Sequence, residues 1–407
     1  MPTLVGVDDI ALHIREWAKP ISVTEEIASA SAMGRVLAAD VHSSQFLPPF
    51  DASAVDGYAI GADALGKDGV ELALRGMAHP GLAPDPVGPG SAVRILTGAA
   101  IPQGCRAVVM QEQVVRSRNS VVILAAASDG ENIRRTGEDI AIEDMVLSAG
   151  TALQPHHVGV LAAVGQQTIP VVRRIRVATV AFGNELVRHG ETPGLHQIND
   201  SNSPMARSML CHPALEFVGA HQIGDDLQEA AWAFSKLAGQ VDVIMTSGGM
   251  SVGDGDYTKR ALTRAGGQWR LLSLNMKPGK PVGMGQIGPC SVLGLPGNPF
   301  AALVCMHLVG RPLLRRLAGS ASPRLWRPAR AAFDLTRSPG RTEFFPARVS
   351  GYDDYGAPLI ERLGKGGSAR LRPLVHADGI GRMEAHVDRV VPGDVLKFES
   401  FAELSQL

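Results

Sequence analysis

The chain has 407 residues, 45% hydrophobic and 19% charged, and its formal net charge is −1. That length is too great for one compact core, and the composition excludes a disordered chain. A charge near zero supplies no global field for nucleic acid, so any anion site is built locally.

Cys105, Cys211, Cys290 and Cys305 are scattered without a CxxC pair or metal-ligand spacing. They are expected to be reduced thiols, mostly buried, in a cytosolic protein. Asp8, Asp9 and Arg15 interrupt the start of the chain, so no signal peptide is expected. The uncharged runs 145–172 and 281–310 are broken by prolines and glycines, which argues against a membrane span. The expectation is a cytoplasmic protein with no membrane and no nucleic-acid partner.

In chain order, Ile10, Ile14 and Trp17 form an apolar stripe at helical spacing. A second short helix is expected after Val23, with Thr24 as cap and Glu26 in its first turn. Residues 41–145 alternate short β-rich runs, such as 92–96 and 107–110, with glycine and proline, predicting a small β domain. The stretch 151–165 again reads as helical. From 174 to 318 strands alternate with helices: strands at 176–182, 216–223, 241–247 and 291–295, and helices at 204–210, 227–237, 257–265 and 300–317. That order predicts a parallel α/β sheet, with ligands in the loops after the strands. Short strands near 328–333, 344–349 and 395–398 predict a second β domain.

Several loops carry candidate chemistry. Thr246-Ser-Gly-Gly-Met-Ser-Val-Gly253 follows a strand; Gly248 and Gly249 permit close backbone approach, while Ser247 and Ser251 offer hydroxyls. Asp254 and Asp256 would repel phosphate there unless a divalent cation bridges them, although Asp256 equally reads as a helix cap. Lys277-Pro-Gly-Lys-Pro281 places Lys277 and Lys280 around a stiff turn, where solvated lysines are the plainer reading. In Leu295-Pro-Gly-Asn-Pro299, Asn298 reads as a cap and Pro299 as the first helical position. Gly297 in that turn could bare backbone amides to an oxyanion. Upstream, Asp51, Ser53 and Asp56 share one proline-rich loop, and Thr97, Arg134, Arg135, Glu138 and Asp139 lie in two others. His156 and His157 are helix neighbours about 100° apart, poorly placed to chelate one ion.

Taken in order, Ser53-Ala-Val-Asp-Gly-Tyr-Ala59, Arg94-Ile-Leu-Thr-Gly98, Asn132-Ile-Arg-Arg-Thr-Gly-Glu-Asp139 and the three loops above resemble one family along nearly the whole chain. The set is similar to the bacterial MoeA proteins and the E domain of gephyrin. The resemblance implies an elongated multi-domain homodimer of class α/β plus β. It implies a parallel-sheet α/β/α molybdopterin-binding domain (1–23 and 175–323), a discontinuous helical linker domain (24–42 and 144–174), and two small β domains (43–143 and 324–407). The 43–143 domain would complete the partner subunit's cleft.

It further implies a molybdenumtransferase acting on adenylylated molybdopterin with molybdate and Mg²⁺, releasing AMP. Transient contact with the molybdopterin adenylyltransferase and apo-molybdoenzymes is expected. Asp56, Thr97, Asp139, Glu185, Asp256, Lys277 and Lys280 map onto catalytic positions. Glu185, Asp256 and Asp225 (or its neighbour Asp226) map onto the cation site, and Pro296, Pro299 and Ser368 onto substrate positions. One loop departs from the family: Phe182-Gly-Asn-Glu-Leu186 stands where Thr-Gly-Asp-Glu-Leu is usual, and Val55 stands where methionine is common. A carrier that binds the pterin without turnover is therefore an alternative reading; an insertase preferring tungstate is another, because the two oxyanions are nearly the same in size and charge.

Overall fold

The computed structural model describes residues 4–188, 190–249, 257–321, 326–364 and 366–403. Its central feature is a six-stranded sheet in the order Leu215–Ile223, Ile175–Phe182, Val243–Ser247, Cys290–Leu295, Pro281–Ile287, Gln268–Ser273. The first four strands are parallel. The last two are antiparallel, so the sheet is mixed and not the wholly parallel one expected.

Alternation along the strands builds two cores. Val177, Val243, Met245, Leu293 and Leu295 pack on one face with helical residues Leu313, Leu314 and Leu317. Ala178, Val180, Ile244 and Val292 pack on the other with Phe234 of the helix Leu227–Ala238. The N-terminal helix Ile10–Trp17 buries Ile10 and Ile14 in the first core, as its stripe predicted.

The expected helix after Val23 is absent. Thr24–Ala28 is instead a strand, antiparallel to Thr168–Val172. A helix of one or two turns does not outweigh its nucleation cost, whereas pairing with a distant strand supplies a full ladder. A second pair, Val41–His42 with Met145–Leu147, and the helix Pro155–Ala163 complete this unit. The linker region is thus mixed and not helical. Gln154 donates its backbone N–H to His157 Nδ1 at 3.1 Å, which gives His157 a capping role.

Between those two pairs the chain forms a six-stranded sheet ordered Ala107–Met110, Gly57–Ile60, Ser91–Ile95, Glu71–Ala78, Ser120–Ile123, Val114–Arg116. The C-terminal strands close into a barrel, because Thr342–Tyr352 pairs with both Pro358–Arg362 and Gly379–Met383. The short strand Met276–Lys277 leaves the α/β sheet's chain to pair in parallel with Thr342–Glu343, joining the two units.

The expected long amphipathic helix at 300–317 is three segments. Pro299–Cys305 is α-helical and buried from Phe300 onward, Met306–Gly310 is a π turn, and only Arg311–Ala318 has a polar side. The first part is apolar all round because it lies between the sheet and the barrel. Among the described residues no helix is long and apolar enough to cross a membrane.

Candidate functional site

Adjacent parallel strands end in adjacent loops, and this brings together segments distant in sequence. After Val243–Ser247 the chain turns through Gly248 (φ 80°) and Gly249 (φ 66°), a backbone region that favours glycine. A Cβ on Gly248 would stand 2.6 Å from the Phe182 carbonyl oxygen. After Cys290–Leu295 comes the Pro296–Asn298 turn, and a Cβ on Gly297 would lie 3.6 Å from Gly248 Cα. The two glycine loops are therefore neighbours.

Asn202 ties them: its Nδ2 donates to Ser247 Oγ and to the Gly297 carbonyl, both at 2.7 Å. Asn202 was not singled out from the sequence, and its only signal is the short polar run Asp200-Ser-Asn-Ser ahead of a helix. Asp200 caps the backbone there, accepting from Asn202 N–H at 2.9 Å and Ser203 N–H at 3.1 Å.

A cleft of about 510 Å³ opens between the Pro296–Asn298 turn, the Lys277–Pro281 turn and the barrel; Ser247, Gly248 and Gly249 are not among its lining residues. Its α/β wall carries Lys277, Lys280, Pro296, Gly297 and Asn298, and its barrel wall Arg341, Arg362, Arg370 and Ser368. Glu343 is the acidic group in the lining and accepts from Arg362 at 2.9 Å. Asn298 stands at the cap position but makes no side-chain cap bond. Its Nδ2 donates instead to Ser368 Oγ at 2.9 Å. Pro299 is the first helical residue, as expected.

Glu185 and Asp225 lie exposed in the loops after Ile175–Phe182 and Leu215–Ile223, which are paired neighbours. Asn184 bridges those loops: its Nδ2 donates to Asp225 Oδ2 at 3.3 Å, and its Oδ1 accepts the Asp225 N–H at 3.1 Å. Asp226 caps the next helix, accepting from Gln228 and Glu229 N–H at 2.7 and 2.9 Å. Of the two aspartates, Asp225 is the one not committed to a helix cap. Phe182 is buried against Phe234, ring centroids 6.0 Å apart, and its ring lies under Gly249. Ser251, Asp254 and Asp256 lie outside the described residues.

The upstream candidates gather on the 43–143 unit. Asp56 Oδ1 accepts from the Thr97 N–H at 2.8 Å and from its hydroxyl at 2.7 Å. Those donors, the amide first, hold the Asp56 carboxyl below its ordinary value. Asp51 is held down likewise by the Thr136 N–H, with Arg135 adding at 2.7 Å. Asp139 is exposed, its N–H bonded to the Leu47 carbonyl at 3.1 Å. Ser53 is buried and donates to the Val55 carbonyl at 2.6 Å, a local turn role. Arg134 donates to Glu138 at 2.8 Å, so this arginine is paired. Asp56, Thr97 and Asp139 are not among the residues lining the basic cleft.

Models of three families match successive parts of the chain: the MoeA N-terminal region (domain I and II) at residues 6–165, a probable molybdopterin binding domain at 178–316, and the MoeA C-terminal region (domain IV) at 328–401. The molybdopterin molybdenumtransferase of Haemophilus influenzae is 32% identical, over 94% of this chain and 95% of its own. The chain belongs to the MoeA family of molybdopterin molybdenumtransferases. Another relative, molybdopterin molybdenumtransferase 2 of Mycobacterium tuberculosis, is 34% identical over 95% and 96% of the two chains. A solved MoeA protein from Pyrococcus horikoshii superposes with TM-score 0.82 at 26% identity, covering 98% of this chain and all of that one.

As a MoeA-family enzyme it works in molybdenum cofactor synthesis, with molybdopterin as substrate. Among the described residues no cluster of three His, Cys, Asp or Glu side chains is placed to hold a metal. Two carboxylates, Glu185 and Asp225, on adjacent loops fit Mg²⁺ that takes its other ligands from water and substrate phosphates.

Proposed function

We propose that this MoeA-family enzyme binds adenylylated molybdopterin and molybdate across the cleft, and releases AMP with Mg²⁺ as molybdenum enters the dithiolene. The observation that carries the reading is the convergence of Lys277, Lys280, Arg341, Arg362 and Arg370 on one cleft beside the Pro296–Asn298 turn. Such a set suits a substrate rich in phosphate charge and a tetrahedral dianion such as molybdate. Ser368, Asn298 and Gly297 supply neutral polar groups at the same mouth.

Glu185, Asp225 and Asp256 would hold Mg²⁺ against the pyrophosphate. The ion would neutralise phosphate charge and favour attack by water. Asp56, Thr97 and Asp139 would reach the site from the partner subunit of a homodimer, which accounts for their distance from the basic cleft within one chain. The fixed ionisation of Asp56, set by Thr97, makes it a hydrogen-bond acceptor throughout the neutral range. The division into 1–23 with 175–323, 24–42 with 144–174, 43–143 and 324–407 belongs to the same proposal and is supported by the separate sheets and cores. We place the enzyme in the cytoplasm, in transient contact with the adenylyltransferase and apo-molybdoenzymes.

The test mixes enzyme, adenylylated molybdopterin, Mg²⁺ and molybdate, then follows AMP release and activation of an apo-molybdoenzyme. Both are expected, and both are expected to fall at least a hundredfold in Glu185→Ala and Lys277→Ala. Tight pterin binding without AMP release would replace this reading with the carrier. Faster turnover with tungstate would reassign the metal.

A further inference from the structure

Three side chains lie buried where the segment 299–318 meets the barrel. His307 and Glu399 expose 0% and 4% of their side chains, and Arg311 exposes 9%. Glu399 Oε2 is 2.7 Å from His307 Nε2, and Glu399 Oε1 accepts from Arg311 Nη1 at 3.0 Å. The same Nη1 lies 3.1 Å from His307 Nδ1. A guanidinium only donates, so Nδ1 accepts. Nε2 then carries the proton and donates to Glu399, and His307 is neutral.

Two further basic groups, Arg315 and His212, feel this set. Burial pushes Arg315 down to about 10, helped by Arg311 and opposed by Glu399. Burial pushes His212 down to about 4, with Arg311 and Arg315 adding. Glu399 therefore answers two arginines. Arg382, on the barrel side, stacks over Trp326 at 5.7 Å and pairs with Asp8.

Burying such a set is costly, and apolar residues of similar volume often give equal stability. What they do not give is a directional register. The first contact between this segment and the barrel is at its start, where Phe300 N–H donates to the Ser368 carbonyl at 3.1 Å. The second is the triad, seven residues on, roughly 10 Å along a helix. The Met276–Lys277 ladder with Thr342–Glu343 already joins the units at one edge, and the triad adds a buried, directional contact on the helical side. The π turn Met306–Gly310 carries His307 itself, and π turns are frequent where a helix serves function.

We propose that His307, Arg311 and Glu399 are positioning residues: they fix the angle of the barrel so that Ser368 and its arginines face Lys277 and Lys280. The proposal deepens the reading of the cleft as an oxyanion site and rests on it for its consequence in affinity. None of the three lines the cleft.

Two variants test it. Glu399→Gln keeps shape and removes the charge, and the triple variant His307→Leu, Arg311→Met, Glu399→Leu replaces the ions by apolar groups. Molybdate affinity is read by calorimetry, molybdate KM and kcat by AMP release, and hydrogen exchange at the Phe300 amide. Expected in each variant that melts within a few degrees of the parent are a tenfold higher molybdate Kd and KM, kcat within twofold, and tenfold faster exchange at Phe300. A folded variant of either kind with parental Phe300 exchange and affinity overturns the proposal. If Lys277→Ala leaves molybdate affinity unchanged, the cleft reading fails instead, and Phe300 exchange alone decides the register.

Discussion

Asn298 and Ser368, seventy positions apart, are joined by a hydrogen bond of 2.9 Å that closes the seam between the α/β sheet and the barrel. Asn298 forgoes the usual cap bond to make it, so the helix start is exchanged for a contact between units. Ser368→Ala removes this bond and keeps the Ser368 carbonyl that Phe300 uses. A loss of about 0.5–1.5 kcal/mol is expected, together with several-fold weaker molybdate binding by calorimetry. Unaltered binding would mean the seam does not serve the cleft.

Gly279 separates the two lysines of the cleft wall with φ 93°, and a Cβ there would stand 2.6 Å from Cys305 Sγ and 2.7 Å from Met276 Cε. Gly279→Ala meets both strain and overpacking, costing about 1–3 kcal/mol. Urea denaturation should show that loss, and AMP release should fall as Lys277 and Lys280 are displaced.

Asp242 organises the start of the parallel strands. Arg173 donates to both its oxygens at 2.7 Å, and the Arg176 N–H donates at 2.8 Å. Burial alone would raise its carboxyl, but these donors outweigh burial and lower it. The resulting stability is fully present above the unfolded carboxyl value near 3.8 and is lost as pH falls through the depressed folded value. Asp242→Ala should cost about 2–4 kcal/mol at neutral pH and flatten stability against pH below about 4. Acid titrations of melting temperature for both proteins check this.

The four thiols differ in reach. Burial pushes Cys105 up to about 11 and Cys290 up to about 12, and raises Cys305 further. Cys211 is exposed. A thiolate-seeking reagent should label Cys211 first in the native protein, and Cys290 and Cys305 only on unfolding. Peptide mapping after brief labelling would contradict this if Cys290 were modified early.

Asn184 donates to Asp225 where a carboxylate at 184 would repel it. Asn184→Asp should therefore lower the melting temperature without Mg²⁺ and regain it when Mg²⁺ is added, with Mg²⁺ affinity raised several-fold. A melting temperature indifferent to Mg²⁺ in the variant would show that these loops do not face the cation.

Much of the α/β unit was legible in the sequence because its signals are local. Strand runs such as Ile175–Phe182 are buried and β-branched, and turns such as Gly248-Gly249 and Asn298-Pro299 carry their own backbone chemistry. The ordered motifs likewise named the family, since they depend on residue identity alone. The hairpin Gln268–Ser273 with Pro281–Ile287 was not legible. Gly283 and Gly285 weaken its strand pattern, and only the fold shows that they make room for the Trp269 ring, 1.9 Å from a Cβ placed on Gly283. Thr24–Ala28 became a strand because its partner lies at 168–172. The bond of Asn202 to two glycine loops, and of Glu399 to His307, join segments tens of residues apart. Local periodicity and residue type determine elements and chemistry; which distant polar groups share one cleft is decided by how the sheet and the barrel pack.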